Sequence, residues 1–74
     1  MGKADNRERR LRLGGIIKRK RIEANLTMRQ FARLANTSHT HLWQVETGRV
    51  SVGLDMLCEI ADALGTEVRD LIDF

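Results

Sequence analysis

The sequence predicts an all-α protein, a compact bundle of five helices in a single domain. Three observations predict it. The 74 residues include no Pro, no Tyr and only three aromatic side chains, a composition that disfavours an all-β fold. Leu, Ile, Ala, Arg, Lys and Glu, the residues of small helical domains, dominate instead. Apolar residues then recur at i, i+3, i+4 spacing between Ser, Thr, Asn and Gly punctuation. At this length the excess of burial over chain entropy is thin, and no catalytic domain fits beside the bundle.

Taken in order, residues 1–10 read as a flexible basic arm and 11–74 as the folded domain. A start with Asp5 as N-cap and Glu8 at the third helical position stands as the alternative to the arm. The first helix runs from Leu11 or Leu13 to Ala24, with Ile17 and Ile22 inward and Lys18, Arg19 and Lys20 outward. Gly14 and Gly15 each cost it about 1 kcal/mol relative to Ala, which frays its first turn. Thr27 opens the second helix, and Gln30 three residues on completes a capping box. Phe31, Leu34 and Ala35 share its inner face, and Ala32 is small enough for another helix to approach closely.

Asn36 and Thr37 interrupt the pattern, and Ser38 restarts it as an N-cap. Leu42, Val45 and Glu46 then face inward, and Gly48 ends the third helix in a left-handed cap. Two short helices joined by a tight turn, the second with a polar outer face, form the unit that lays a recognition helix in the DNA major groove. A loop over 49–53 follows, with Ser51 or Gly53 capping a fourth helix from Leu54 to Leu64. Leu57, Ile60, Ala61 and Leu64 form its buried stripe, while Asp55 and Glu59 face water. Gly65 closes it, and Thr66 or Glu67 starts a last short helix with Val68, Leu71 and Ile72 inward.

Net charge divides the chain. Residues 1–33 hold eleven of the thirteen Lys and Arg against three carboxylates, a net +8; residues 34–74 hold two against seven, a net −5. One side suited to phosphate and one that avoids it is the pattern of a nucleic-acid binder, although a charge run alone is often only a solvated face. No apolar run approaches the roughly 20 residues of a membrane span. The basic N-terminus lacks an apolar signal core, and the single Cys58 forms no internal disulfide, so the expected location is the cytoplasm.

From Leu13 to Phe74 the chain resembles the lambda repressor and Cro type of helix-turn-helix domain, also called the xenobiotic-response-element family. The stretches that carry the resemblance are IIKRKRIEANLT, the LTxxxxA start of the second helix, SxxxLxxxExG in the third, and LxxIAxALG with its closing VRDLI. The resemblance implies a five-helix bundle and a transcriptional regulator that binds its operator as a dimer. It also implies an ion pair between Arg21 and Glu46, joining the first helix to the end of the third. Physically, a Glu flanking an apolar face can be partly buried only if it is paired.

The same resemblance places His39, Thr40 and Gln44 where base edges are read. Gln44 suits adenine, Thr40 offers a methyl to thymine, and His39 donates or accepts according to its tautomer. Thr27, Thr47 and Arg49 fall at phosphate-contacting places, with Arg21 a further candidate. Two departures stand out. Met28 occupies a place where Gln commonly bridges phosphate and the recognition helix, and the loop after Gly48 lacks its usual Pro. Trp43 shares the outer face with His39 and Thr40 and is counted with the base readers, its ring meeting sugar or a thymine methyl; contact with a second subunit and plain packing against the protein are the alternatives.

His39 and His41 point to different sides of a helix and the lone Cys58 is read as a small core residue of the fourth, so no metal or cofactor is expected. No nucleophile stands near a base, so no enzyme is expected either. The reading is a sequence-specific double-stranded DNA-binding regulator, a repressor or controller protein. The alternative is an antitoxin that also represses its own operon and neutralises a toxin partner. Pairing as a homodimer is expected through Val68, Leu71, Ile72 and Phe74 in the acidic half.

Overall fold

The computed structural model describes residues 6–74. Its elements are α1 (Arg7–Glu23), α2 (Met28–Leu34), α3 (His39–Glu46), α4 (Leu54–Leu64) and a single 3-10 turn over Val68–Asp70. Among the described residues there are four α-helices, not five. The last segment winds with i→i+3 bonds, from Asp70 N–H to the Glu67 carbonyl and from Leu71 N–H to that of Val68. This tighter winding aligns side chains three apart, so that Val68 and Leu71 both turn to the core. Asp70 folds its carboxylate back to accept from Glu67 N–H at 3.2 Å and from the Thr66 hydroxyl at 3.0 Å. Those two bonds hold its pKa below the usual aspartate range.

Short-range signals set the helix boundaries. Thr27 Oγ1 accepts from Gln30 N–H at 3.1 Å, and Gln30 Oε1 accepts from Thr27 N–H at 2.8 Å, a reciprocal capping box. Ser38 Oγ accepts from His41 N–H at 3.1 Å and starts α3. Gly53 caps α4 without a side chain. Each α-helix stops at a left-handed residue: Asn25, Asn36, Gly48 and Gly65, with φ of 59°, 57°, 72° and 66°. Beyond each, the next N–H reaches back to a carbonyl of the last turn, Leu26 to Arg21, Thr37 to Ala32, Arg49 to Gln44 and Thr66 to Ala61. These are Schellman closures, in which Asn substitutes for Gly because it tolerates the left-handed region.

The arm expected over residues 1–10 is corrected at 7–10, which are helical. Helix α1 begins at Arg7 with Asn6 as its N-cap position; residues 1–5, including the alternative cap Asp5, lie outside the described residues. The added turns are docked. Arg10 Nε donates to the Gly48 carbonyl at 3.2 Å, and Leu11 lies against Gly48.

Helix α1 packs on α3 and α4, α2 packs on both as well, and the 3-10 turn closes against α4. Phe31, Ile17, Leu42, Ile60, Leu71 and Val45 are fully buried at the centre. Four inward assignments are corrected: Ile22, Leu34, Cys58 and Ile72, the last 39% exposed because the 3-10 turn brings only Val68 and Leu71 to the core. Ile22 is 55% exposed and Leu34 53%. The buried stripe of α1 is Leu13, Ile16 and Ile17, and Ile22 lies about 140° round the helix from Ile17. In α2 the inner face runs through Phe31, Ala32 and Ala35, which turns Leu34 outward. Cys58 is exposed, one residue round from the stripe that holds Leu57 and Ile60.

Candidate nucleic-acid interface

The outer face of α3 follows from what its inner face must do. Leu42, Val45 and Glu46 are buried, which turns His39, Thr40 and Trp43 to solvent and leaves Gln44 half-buried beside them. His39 and Thr40 occupy the first turn, fixed by the Ser38 cap. The one carboxylate of α3, Glu46, points inward, so the outer face carries no negative charge. Across from it, Arg21 Nε donates to Glu46 Oε2 at 2.8 Å and Nη2 to Oε1 at 3.3 Å, while Nη1 donates to the Leu26 carbonyl at 3.0 Å. The two side chains are 13% and 3% exposed, so this fork joins α1, α3 and the α1–α2 connection inside the molecule.

Gly14 is the closest approach between α1 and α3. A Cβ there would stand 2.5 Å from the carbonyl oxygens of both Val45 and Glu46. At Gly15 a Cβ would meet nothing within 4 Å. The sequence gives both glycines the same local cost, and only the crossing distinguishes them. The Arg10 and Leu11 contacts with Gly48 were equally invisible to spacing rules, since they join positions 38 apart in the Arg10 case. Met28 is half-buried and packs against the core, so it fills space where a Gln would reach outward.

Residues 12–73 match the family model described as a helix-turn-helix domain. The chain belongs to the helix-turn-helix family. This helix-turn-helix protein superposes with a TM-score of 0.86 on the restriction-modification controller protein C.AhdI from Aeromonas hydrophila, at 25% identity over 88% of this chain and 98% of that one. Against the clp gene regulator ClgR from C. glutamicum the TM-score is 0.80, with 31% identity over 84% of this chain and 80% of that one. A hypothetical transcription factor, NHTF from Neisseria, has a TM-score of 0.83 at 22% identity over 97% and 83% of the two chains, a likeness of fold alone. No curated protein sequence matches the chain. The fold is that of DNA-binding transcription regulators, as the resemblance to the lambda repressor and Cro type implied.

Within this helix-turn-helix domain, two residues expected at phosphate, Arg21 and Thr47, bond to other groups of the protein. The Arg21 guanidinium is occupied by Glu46 and Leu26. The Thr47 hydroxyl donates to the Trp43 carbonyl at 2.7 Å, a bond back to its own helix that uses its one hydrogen. Thr27 and Arg49 are exposed. The Arg49 guanidinium lies over the Trp43 ring at 4.6 Å from its centroid, and the ring is 46% exposed.

Among the residues expected at a dimer interface, Leu71 is fully buried in its own chain and not free for a partner, and Val68 is half-buried. Ile72 and Phe74 remain exposed. Phe74 lies 6.0 Å from the Arg12 guanidinium, which also pairs with Asp73 at 3.4 Å. Among the described residues no three His, Cys, Asp or Glu side chains gather as a metal site requires, and no helix is long and apolar enough to cross a membrane.

Proposed function

We propose that this protein is a transcriptional repressor or controller that binds a palindromic operator in double-stranded DNA as a homodimer. The observation that carries the reading is the outer face of α3, where His39, Thr40 and Gln44 project from a capped helix free of outward carboxylates. His39 and Thr40, in the first turn, enter the major groove most deeply, and Gln44 follows one turn on. Thr27 and Arg49 hold phosphates and set register without reading sequence. Likeness to a controller protein of nearly equal length supports the same reading.

Selection of bound sequences from a random duplex library tests it. Gln44→Ala is expected to lose about 1–3 kcal/mol on the selected site and to relax selectivity at one base pair. Unchanged affinity and base preference would show that α3 is not the reading helix.

The homodimer follows from selectivity, because one recognition helix reads too few base pairs to find a site in a genome. Two copies related by a two-fold axis set their recognition helices about 34 Å apart, one turn of duplex. Of the four residues expected at the interface, Ile72 and Phe74 keep exposed apolar surface for pairing. Sedimentation at micromolar concentration is expected to give a dimer for the wild type and a monomer for Phe74→Asp. A wild-type monomer unchanged by that substitution would rule this interface out.

A further inference from the structure

We infer that Trp43 acts as a positioning residue for Arg49, its ring holding the guanidinium ready for a pair of acceptor oxygens on DNA phosphate. The inference rests on the DNA-binding reading above and changes the role of Trp43 from a base reader to a support.

Arg49 is fixed from three sides. Its backbone N–H donates to the Gln44 carbonyl at 2.9 Å in the Schellman closure of α3. The preceding residue, Gly48, is held by the Arg10 bond to its carbonyl at 3.2 Å and by Leu11 packed against it. Its side chain lies on the Trp43 ring at 4.6 Å, inside the range in which a cation is attracted to an aromatic face. Stacking uses the flat side of a guanidinium and leaves its N–H edge available, the edge that bonds two oxygens at once. A free Arg side chain must lose rotamer freedom when it binds, on the order of 2 kcal/mol in full, and a preformed stack removes part of that cost before DNA arrives. The Thr47 hydroxyl bond to the Trp43 carbonyl ties the same turn of helix down from the other side.

The test is a double-mutant cycle with Trp43→Ala, Arg49→Ala, the pair together, and Trp43→Phe. Binding is measured by anisotropy on two fluorescein-labelled duplexes of about 20 base pairs, one selected from a random library and one of random sequence. Arg49→Ala is expected to weaken binding about tenfold on both duplexes, as loss of a charge-assisted contact does, and Trp43→Ala, which loses only the pre-organisation, about threefold on both. Arg49→Ala should also lower the salt slope by about one unit, whereas Trp43→Ala, which keeps the charge, should leave it nearly unchanged. The double variant should bind no more weakly than Arg49→Ala alone, and Trp43→Phe, which keeps an aromatic face, should restore most of the loss. Trp43 is the only tryptophan, so its fluorescence in the absence of DNA should differ between the wild type and Arg49→Ala.

Losses that multiply in the double variant would overturn the inference. So would a changed base preference in Trp43→Ala, which would make the ring itself the reader, or tryptophan emission indifferent to Arg49. A wild type that binds neither duplex would overturn the DNA-binding reading along with it, whereas multiplying losses leave that reading intact.

Discussion

Glu46→Ala is expected to destabilise the protein by about 3–5 kcal/mol, because it leaves the Arg21 guanidinium buried without its counter-charge. Both side chains are largely shielded from water, and the fork between them makes two charge-assisted bonds. A chain of this size has a total stability of roughly 4–11 kcal/mol, so the loss is a large share of it. The melting temperature should fall by more than about 10 °C. Glu59→Ala is the control. That carboxylate accepts from Asn36 Nδ2 at 3.3 Å on an exposed surface, and its loss should cost less than about 1 kcal/mol. Similar small shifts for both variants would mean that the buried pair does not form in solution.

The second large effect concerns two adjacent glycines with opposite outcomes. Gly14→Ala drives a methyl group against two backbone carbonyls of α3, and neither can move without shifting the recognition helix. Overpacking of this kind costs about 1–3 kcal/mol where side chains yield, and here only backbone could yield, so at least about 3 kcal/mol is expected. Gly15→Ala enters open space on the outer side of the same helix. It should stabilise the protein by up to about 1 kcal/mol, through helix propensity alone. Urea unfolding of the two variants measures the signs directly. Equal shifts in one direction would disprove the close crossing at Gly14.

The helix boundaries of the central unit were legible because their causes are local. The Thr27–Gln30 box, the Ser38 cap and the Gly48 stop each involve residues within a turn of one another. Which way a side chain faces was legible only where the side covered by a neighbouring helix was already known. Ile22 lies on a different side of α1 from Ile17, and periodicity alone could not show which of the two sides is covered. Leu34 and Cys58 failed for a related reason: each lies next to a buried position, and the choice between neighbours depends on what packs there.

The fifth helix was over-read because helical spacing of apolar residues does not distinguish an α-helix from one tight turn that presents the same pair. At the candidate interface, the outer face of α3 was legible from its inner one. The bonds of Thr47 and Arg21 to other groups of the protein and the stacking of Arg49 on Trp43 were not, since they depend on rotamers that no spacing encodes.

The four left-handed stops have a consequence for how the chain reaches its structure. Each closure joins residues only five apart, so the place where a helix ends is decided without any distant neighbour. The search that remains is the joint formation and docking of short helices linked by brief connections, a topology rich in local contacts. Chains of that kind fold in microseconds to milliseconds. Stopped-flow or temperature-jump refolding should therefore show one fast phase, and with no Pro in the sequence there is no prolyl isomerisation to add a slow one.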